Sequence, residues 1–485
     1  MPSEAVADLL ADPASCYRAV SSRDSRWDGR LYLGVVTTGV YCRPSCAART
    51  PLARNCRYFG TAAAAVAAGF RACRRCRPDA LPGTRDDDVR ADLAARALRL
   101  IRDGVVDEIG VAGVAARLHV SERHLHRVLL AEVGVGPLRL AQSRRAQVAR
   151  LLVEQSDLTM TDVAFASGFS SVRQFNDVMR DEFGRPPSSL RGRRELSDRR
   201  PARAGSRLTV ALQYREPYAV DAVWTYLSAR LVPGVEERRG DTLVRRQRGG
   251  ASEPSEVHVD RPSAGAVRVG LDLTSLDDLG PLVGRLRRWL DLDADPTAVD
   301  EVLGADSALA HRVRRTPGMR VPGSLDGFEL ATRAVVGQQV SVAGARTMLG
   351  RLAAEVGPGD ALPSALEVAQ AGDSGLRAVG LTGARAATLV SLAEAVTTGR
   401  LALDPGTDRD EARAVLRRIR GIGAWTTEYI ALRALADPDA WPGTDLLLAR
   451  RVASDGCDPD RWRPWRGYAA MHLWTEPTHP PEEPA

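Results

Sequence analysis

The sequence predicts a multidomain, mainly α-helical chain with a strand-bearing segment in its middle. Length predicts the several domains, because 485 residues exceed one ordinary core and about three or four are expected. Hydrophobic spacing predicts the helices: apolar residues recur every three or four positions from about 91 to 193 and again from about 296 to 475. Alternation predicts the strands, in Leu208-Thr209-Val210-Ala211-Leu212, around Val257 and over Val267–Leu273.

Composition narrows the class. The chain is 44% hydrophobic, enough for packed cores. It has no apolar run of membrane-spanning length, and Glu4, Asp8 and Asp12 at the start do not fit a signal pattern. A cytoplasmic protein is expected. Net charge is +6, a mild pointer to nucleic acid. All 67 basic residues are arginine. A GC-rich genome accounts for most of that, yet the chemical consequence stands: no side-chain amine exists for a Schiff base, which excludes lysine-dependent lyase chemistry. Seven cysteines, an odd number, fit a reducing compartment better than a disulfide framework.

Residues 1–80 hold most of those cysteines. Cys42 and Cys46 stand in Tyr41-Cys42-Arg43-Pro44-Ser45-Cys46, Cys73 and Cys76 in Ala72-Cys73-Arg74-Arg75-Cys76. Two close pairs separated by one loop are what a tetrahedral zinc site needs, since each short hairpin turns two sulfurs toward one ion. The surrounding arginines suit a polyanion. A purely structural zinc knuckle is the plain alternative. Cys16, Cys56 and Cys457 are expected to be buried structural thiols.

These stretches, from Thr37 to Cys46 and from Ala68 to Asp79, resemble the N-terminal domain of bacterial Ada proteins over about 15–80. The resemblance implies a small α+β domain that binds Zn2+ through Cys42, Cys46, Cys73 and Cys76. It makes Cys42 the irreversible acceptor of a methyl group from a DNA methylphosphotriester. It also implies a switch. Zinc with four thiolates has a formal charge of about −2, and one alkylation leaves about −1, so repulsion from phosphates weakens and DNA binding tightens. Ada proteins typically end in a unit built on Pro-Cys-His-Arg. This chain has no such motif, so direct reversal of O6-methylguanine is not expected.

After a polar linker at 81–90, the helical segment 91–193 carries two helix-turn-helix patterns. In the first, Val111 to Val120 reads as helix and turn, Ser121 as a cap, and Glu122 to Leu129 as a second helix. Arg123, His124 and Arg127 lie on its polar face, while Leu125, Val128 and Leu129 face inward. The second copy begins about 50 residues on at Met160, turns at Gly168, and offers Arg173 and Gln174 on the following helix. A small helical bundle can show one such pattern by chance; two copies with basic faces argue for DNA reading. Ala164-Phe165-Ala166-Ser167-Gly168-Phe169 and Phe183-Gly184-Arg185-Pro186-Pro187 resemble the AraC-type DNA-binding domain. That implies sequence-specific binding to two adjacent major-groove segments.

A second linker at 194–206 leads to the strand-bearing unit 207–295 and the helical unit 296–475; the tail reads as disordered. Leu416 to Tyr429 reads as helix, Gly421-Ile422-Gly423 hairpin, helix. Glycine there lets backbone amides approach a phosphate at the positive end of a helix. Asp445 follows in Pro442-Gly443-Thr444-Asp445. This resembles the helix-hairpin-helix arrangement of DNA glycosylases. The wider resemblance, over about 208–475, is to the AlkA class of 3-methyladenine glycosylases. It is carried by Glu216-Pro217-Tyr218, Val336-Gly337-Gln338-Gln339-Val340-Ser341 and Trp462 to Trp474.

That resemblance implies an AlkA-like α+β subdomain followed by an all-α glycosylase domain, with Asp445 as the catalytic carboxylate. Trp425, Tyr429, Trp474 and Tyr226 match its aromatic pocket. Electron-rich rings attract a cationic alkylated purine, with about 1–2 kcal/mol per ring. Each ring could equally be ordinary core, and Asp445 could be only a helix cap. Gln339 falls where a family member inserts a leucine wedge, and it could instead bond the orphan base. An iron–sulfur cluster is excluded after the hairpin, where Cys457 stands alone.

Together these resemblances imply a fused alkylation-damage protein: an Ada-type methyl sensor (1–80), an AraC-type reader (91–193) and a monofunctional AlkA-type glycosylase (207–295 and 296–475). The implied partners are double-stranded DNA, both alkylated and promoter, with RNA polymerase as a candidate; the implied place is the nucleoid. Two other readings stay open. One is a transcription regulator whose C-terminal unit only binds DNA; the other is a zinc-dependent repair enzyme without signalling.

Overall fold

The computed structural model describes residues 10, 12–22, 31–44, 46, 48–60, 62–73, 76, 89–191, 207–247, 255–273 and 275–475. The chain divides into two compact units, residues 1–95 and 96–485.

In the first unit, α1 (Pro13–Ser21) starts at Asp12, whose carboxylate accepts from the Ala14 amide at 2.9 Å. Its Cys16, Ala19 and Val20 pack with Leu31 and Leu33. Strands β1 (Tyr32–Val35), β2 (Val40–Cys42), β3 (Cys56–Phe59) and β4 (Arg71–Ala72) form a sheet in the order β3-β1-β2-β4, with α2 (Ala62–Ala67) before β4. This is the small α+β domain expected. Gly34 sits in β1 beneath two rings; a Cβ there would stand 2.8 Å from Phe59 and 3.0 Å from Phe70. β1 and β2 pair antiparallel with Leu33 opposite Cys42, whereas β4 runs parallel to β2. That parallel pairing is what delivers the second cysteine pair to the end of β2.

Seven helices follow, the first of them spanning the boundary at residue 95. α3 is Val89–Arg102, α4 Val105–Arg117, α5 Glu122–Val133 and α6 Pro137–Gln155; α7 is Met160–Ala166, α8 Val172–Phe183 and α9 Pro187–Leu190. α4 and α5 make one helix-turn-helix, α7 and α8 the other. The Ser121 hydroxyl accepts from the His124 amide at 3.2 Å and starts α5; Ser171 does the same for α8 through the Gln174 amide at 3.2 Å. Gly168 takes the left-handed φ of +86° that its turn demands. Leu125, Val128 and Leu129 on α5, and Phe175, Val178 and Met179 on α8, are buried, which leaves the opposite faces to solvent.

A five-stranded antiparallel sheet follows. Its members are β5 (Leu208–Gln213), β6 (Glu236–Arg239), β7 (Thr242–Gln247), β8 (Ser255–Asp260) and β9 (Ala266–Asp272), in the order β5-β9-β8-β7-β6, with α10 (Val220–Ser228) between β5 and β6. Alternate residues Val210, Leu212, Val257, Val259, Val267, Val269 and Leu271 are buried in one core with Val223 and Leu286. Each such side chain contributes about 1.5–3 kcal/mol relative to exposure. Gln155, the last residue of α6, covers the free edge of β5. Its amide donates to the Ala211 carbonyl at 3.2 Å and accepts from the Ala211 N–H.

Helices fill the rest: α11 (Leu279–Trp289), α12 (Pro296–Gly304), α13 (Ser307–Arg315), α14 (Gly327–Val336), α15 (Val342–Glu355) and α16 (Ala365–Ala378) come first. They are followed by α17 (Gly383–Thr397), α18 (Arg409–Arg418), α19 (Ala424–Arg433), α20 (Leu446–Asp455) and α21 (Arg466–Thr475). The reader helices bond to this body through several charged groups. Arg96 donates to the Gly406 carbonyl at 3.0 Å and pairs with Asp408, Arg285 pairs with Glu108, and Arg288 pairs with Asp103.

Two expectations need correction. Cys16 is buried, but Cys56 and Cys457 are only half-buried; the Cys56 thiol donates to the Leu52 carbonyl at 3.3 Å. Residues 89–90 of the expected linker already belong to α3. Glu236 of β6 and Arg245 of β7 are buried together as an ion pair. The rest of the linker 81–90, the linker 194–206 and the tail after 475 lie outside the described residues. Among the described residues, no helix is long and apolar enough to cross a membrane.

Candidate metal centre and candidate active site

The metal centre is assembled by backbone pairing. β2 ends on Cys42. The Cys46 amide donates to the Arg43 carbonyl at 3.1 Å and closes a turn that brings Cys46 back beside it. The Cys73 amide donates to the Tyr41 carbonyl at 3.0 Å, an extension of the β2–β4 pairing that sets the second pair against the first. The four sulfurs lie within 4.8 Å of one another. A tetrahedral zinc–thiolate site places its sulfurs about 3.8 Å apart, from bonds of about 2.3 Å, so the cage is of zinc size. Cys42, Cys46 and Cys76 are buried and Cys73 is half-buried. Crowding couples the thiols. Hydrogen bonds with Cys42 and Cys76 lower Cys46, and those with Cys46 and Cys76 raise Cys42. Four soft, closely packed donors of this kind are the set that Zn2+ takes.

The second site is a cleft of about 960 Å³ in the glycosylase-like part. Its rim is the hairpin between α18 and α19. Gly421 has φ +93°, and a Cβ there would meet the Thr388 hydroxyl at 2.1 Å, so only glycine fits. Gly423 caps α19 with no side-chain hydrogen bond, and nothing lies within 4 Å of where its Cβ would be. The first amides of α19 thus have no side-chain cap, and a backbone phosphate could approach Gly423 without meeting a side chain.

Asp445 caps α20 and lines the cleft at once. Oδ1 accepts from the Leu447 and Leu448 amides at 3.0 and 3.1 Å; Oδ2 accepts from the Trp425 indole at 3.0 Å. The cap and the site are one carboxylate, not alternatives. Trp425 stacks on Tyr429 with centroids 5.1 Å apart and planes 18° apart. Trp474 meets Tyr429 edge-on at 6.1 Å, and the Tyr226 and Tyr429 hydroxyls are 3.3 Å apart. Trp425, Tyr429 and Trp474 are half-buried while Tyr226 is buried, so these rings form a wall with open faces. Gln339 is exposed on the rim and holds a left-handed φ of +54°, which projects it from the end of α14.

Several residues of this site escaped the sequence reading. Gln338 donates to the Gly421 carbonyl at 3.0 Å and to the Thr426 hydroxyl at 2.8 Å, tying the hairpin to α14. Arg433 reaches the Tyr429 hydroxyl at 2.6 Å and the Tyr226 hydroxyl at 3.3 Å. Its four-residue spacing from Tyr429 was the available signal. A closed ion network makes the inner wall: Arg245 bonds Glu236 and Glu329 at 2.9 Å each, and Arg333 bonds the same pair. Burial works against the Glu329 charge, and the two guanidiniums outweigh it, holding that carboxyl at about 2.

The candidate reading residues lie on the helices α5 and α8. Arg123, Arg127 and Arg173 are exposed; His124 and Gln174 are half-exposed. Arg127 bonds the His124 ring at 2.8 Å, and Gln174 accepts from the Ser170 hydroxyl at 3.0 Å.

Comparison with known proteins finds three family models along the chain. The metal-binding domain of Ada matches residues 15–79, a helix-turn-helix domain residues 114–193, and the AlkA N-terminal domain residues 209–326. A Mycobacterium tuberculosis protein described as a probable bifunctional transcriptional activator/DNA repair enzyme AlkA is 44% identical over 483 residues, 96% of each chain. DNA-3-methyladenine glycosylase 2 of Escherichia coli is 29% identical over 286 residues, 56% of this chain and 99% of that one. The bifunctional transcriptional activator/DNA repair enzyme Ada of Escherichia coli is 33% identical over 147 residues, 30% of this chain and 40% of that one.

Proposed function

We infer the function from a family membership: the chain belongs to the bifunctional transcriptional activator/DNA repair enzymes of the AlkA type. It excises alkylated purines of the 3-methyladenine type from DNA and accepts methyl groups from methylphosphotriesters to switch on transcription.

One observation carries the glycosylase reading. Asp445 and the stacked pair Trp425–Tyr429 share a cleft, joined by the indole bond at 3.0 Å. The hairpin amides at Gly423 hold a backbone phosphate, and the damaged base leaves the stack, a step eased where pairing is impaired. The base lies among Trp425, Tyr429 and Trp474. Its glycosidic bond breaks with the electron pair going to the base. Asp445, fixed by three N–H donors, faces the positive charge that develops on the sugar. Water then adds to C1′ and loses a proton, leaving an abasic site. With no lysine in the chain, no imine competes.

At the other site Cys42, Cys46, Cys73 and Cys76 would hold Zn2+, which would keep their sulfurs as thiolates at neutral pH. The Cys42 sulfur attacks the methyl carbon of a phosphotriester; the S–C bond forms, the C–O bond breaks, and the phosphodiester leaves with the electron pair. The cage loses one negative charge, which favours DNA contact by this unit and operator reading by Arg123, His124, Arg127, Arg173 and Gln174. Recruitment of RNA polymerase and residence on the nucleoid follow from that reading, as does the division at 1–80, 91–193, 207–295 and 296–475. The test is release of 3-methyladenine from methylated duplex DNA alongside operator affinity before and after methyl transfer. No released base would leave only a regulator; unchanged affinity would leave only a repair enzyme.

A further inference from the structure

The floor of the glycosylase cleft holds a buried cation where a cationic base is expected to sit. Arg433 is 6% exposed. Its guanidinium donates to the Pro322 carbonyl at 2.7 Å, the Gly323 carbonyl at 3.3 Å, and the hydroxyls of Tyr429 and Tyr226 at 2.6 and 3.3 Å. No carboxylate is among these partners. A second guanidinium, Arg230, stacks over the Tyr226 ring at 3.7 Å from its centroid. A buried guanidinium without a counter-ion is costly and repels a cation beside it, so the two phenols must offset it.

Counting hydrogens shows how. Arg433 donates to both phenol oxygens, and one phenol hydrogen is used in the 3.3 Å contact between them. One hydroxyl hydrogen is left over. We propose that Arg433 is a specificity-determining residue that orients the Tyr226–Tyr429 pair, so that the remaining phenolic O–H points into the cleft and serves neutral alkylated purines bearing a hydrogen-bond acceptor on their edge. This rests on the glycosylase reading. The aromatic faces serve cationic bases; the directed O–H adds a partner for bases that lack charge.

The charge environment of the pair supports the same division. Burial alone would raise Tyr429, but Arg433 and Arg230 outweigh it and bring the phenol down to about 8, while burial keeps Tyr226 up. The groups facing Tyr429 are Arg433 on its own helix, Arg230 and Tyr226 from the α10 side, and the uncharged Trp474 from α21. Arg333 nearby is neutralised by Glu236 and Glu329, and Asp445 is held on Trp425. Above pH 8 the directed donor becomes an anion. It then stops serving neutral acceptors and attracts cations.

The experiment compares full-length protein with Arg433→Met, Arg433→Lys and Tyr429→Phe. Ultraviolet difference titration reads tyrosinate directly, and single-turnover excision reads the ratio of 1,N6-ethenoadenine (neutral) to 3-methyladenine (cationic) at pH 7 and pH 9. In the unmodified protein one phenol titrates at about 8, ahead of the others, and the neutral-to-cationic ratio falls roughly tenfold across that range. Arg433→Met and Tyr429→Phe abolish both the early titration and the pH dependence of the ratio; Arg433→Lys restores part of each. An early phenol that persists in Arg433→Met, or a ratio independent of pH in the unmodified protein, overturns the proposal. If neither base is released by any form, the glycosylase reading fails, while the titration still judges the Arg433–Tyr429 arrangement.

Discussion

Replacing Asp445 by Asn removes a charge from the cleft and one hydrogen bond, and little else. An amide keeps one acceptor oxygen and must turn its NH2 toward a group that donates. Asn caps helices about as well as Asp, so its oxygen stays on the Leu447 and Leu448 amides and the Trp425 indole loses its acceptor. That lost bond costs about 1 kcal/mol of stability, a shift of a few degrees in Tm at most. The kinetic cost is far larger. A preorganised charge facing the developing sugar cation is worth about 3–4 kcal/mol, on the order of a hundred- to a thousandfold in single-turnover rate. The assay is chromatographic release of 3-methyladenine from a methylated duplex, with thermal unfolding of the same preparation. A folded Asp445→Asn protein that keeps its rate within about threefold refutes the assigned role. So does a rate loss that merely tracks unfolding.

Removal of zinc by a chelator is expected to unfold the N-terminal unit and abolish methyl transfer, while base release continues; metal analysis with limited proteolysis reads this. Gly421→Ala forces a left-handed φ on a Cβ that meets Thr388, so stability falls by about 2 kcal/mol or more and duplex affinity drops, as read by urea unfolding and DNA titration. Glu329 is held at about 2 by Arg245 and Arg333 against the opposing effect of burial, below its unfolded value of about 4.3. Its stabilisation is therefore complete above about pH 4.3 and is lost as pH falls toward 2. Glu329→Gln should be less stable at pH 7 and lose less on acidification; a parallel acid limb in urea unfolding would contradict that.

Much of this site was legible because its chemistry uses scarce residue types at fixed spacing. Cys42 and Cys46, Cys73 and Cys76, and the Gly421–Gly423 hairpin with Asp445 could be placed from local sequence, as could the caps Ser121 and Ser171 and the turn at Gly168. Local pattern could not show that β4 pairs parallel with β2, the feature that unites the two cysteine pairs. Nor could it show that Gln155 borrows the edge of β5, since that bond spans a gap in sequence and leaves no periodicity. The burial of Glu236, Arg245 and Arg333 leaves no local signal either, because it depends on mutual pairing across β6, β7 and α14. Arg433 was hidden for the same reason, being a cation on an apolar helix whose partners are phenols and carbonyls.

The most direct measurement of the central claim is fragmentation mass spectrometry of the zinc-loaded protein after exposure to duplex DNA bearing methylphosphotriesters and methylated purines, with free bases assayed in the same tube. The account predicts one added methyl on Cys42, none on Cys46, Cys73 or Cys76, and free 3-methyladenine in solution. A methyl on another sulfur, or zinc-loaded protein that leaves both kinds of lesion untouched, would contradict it.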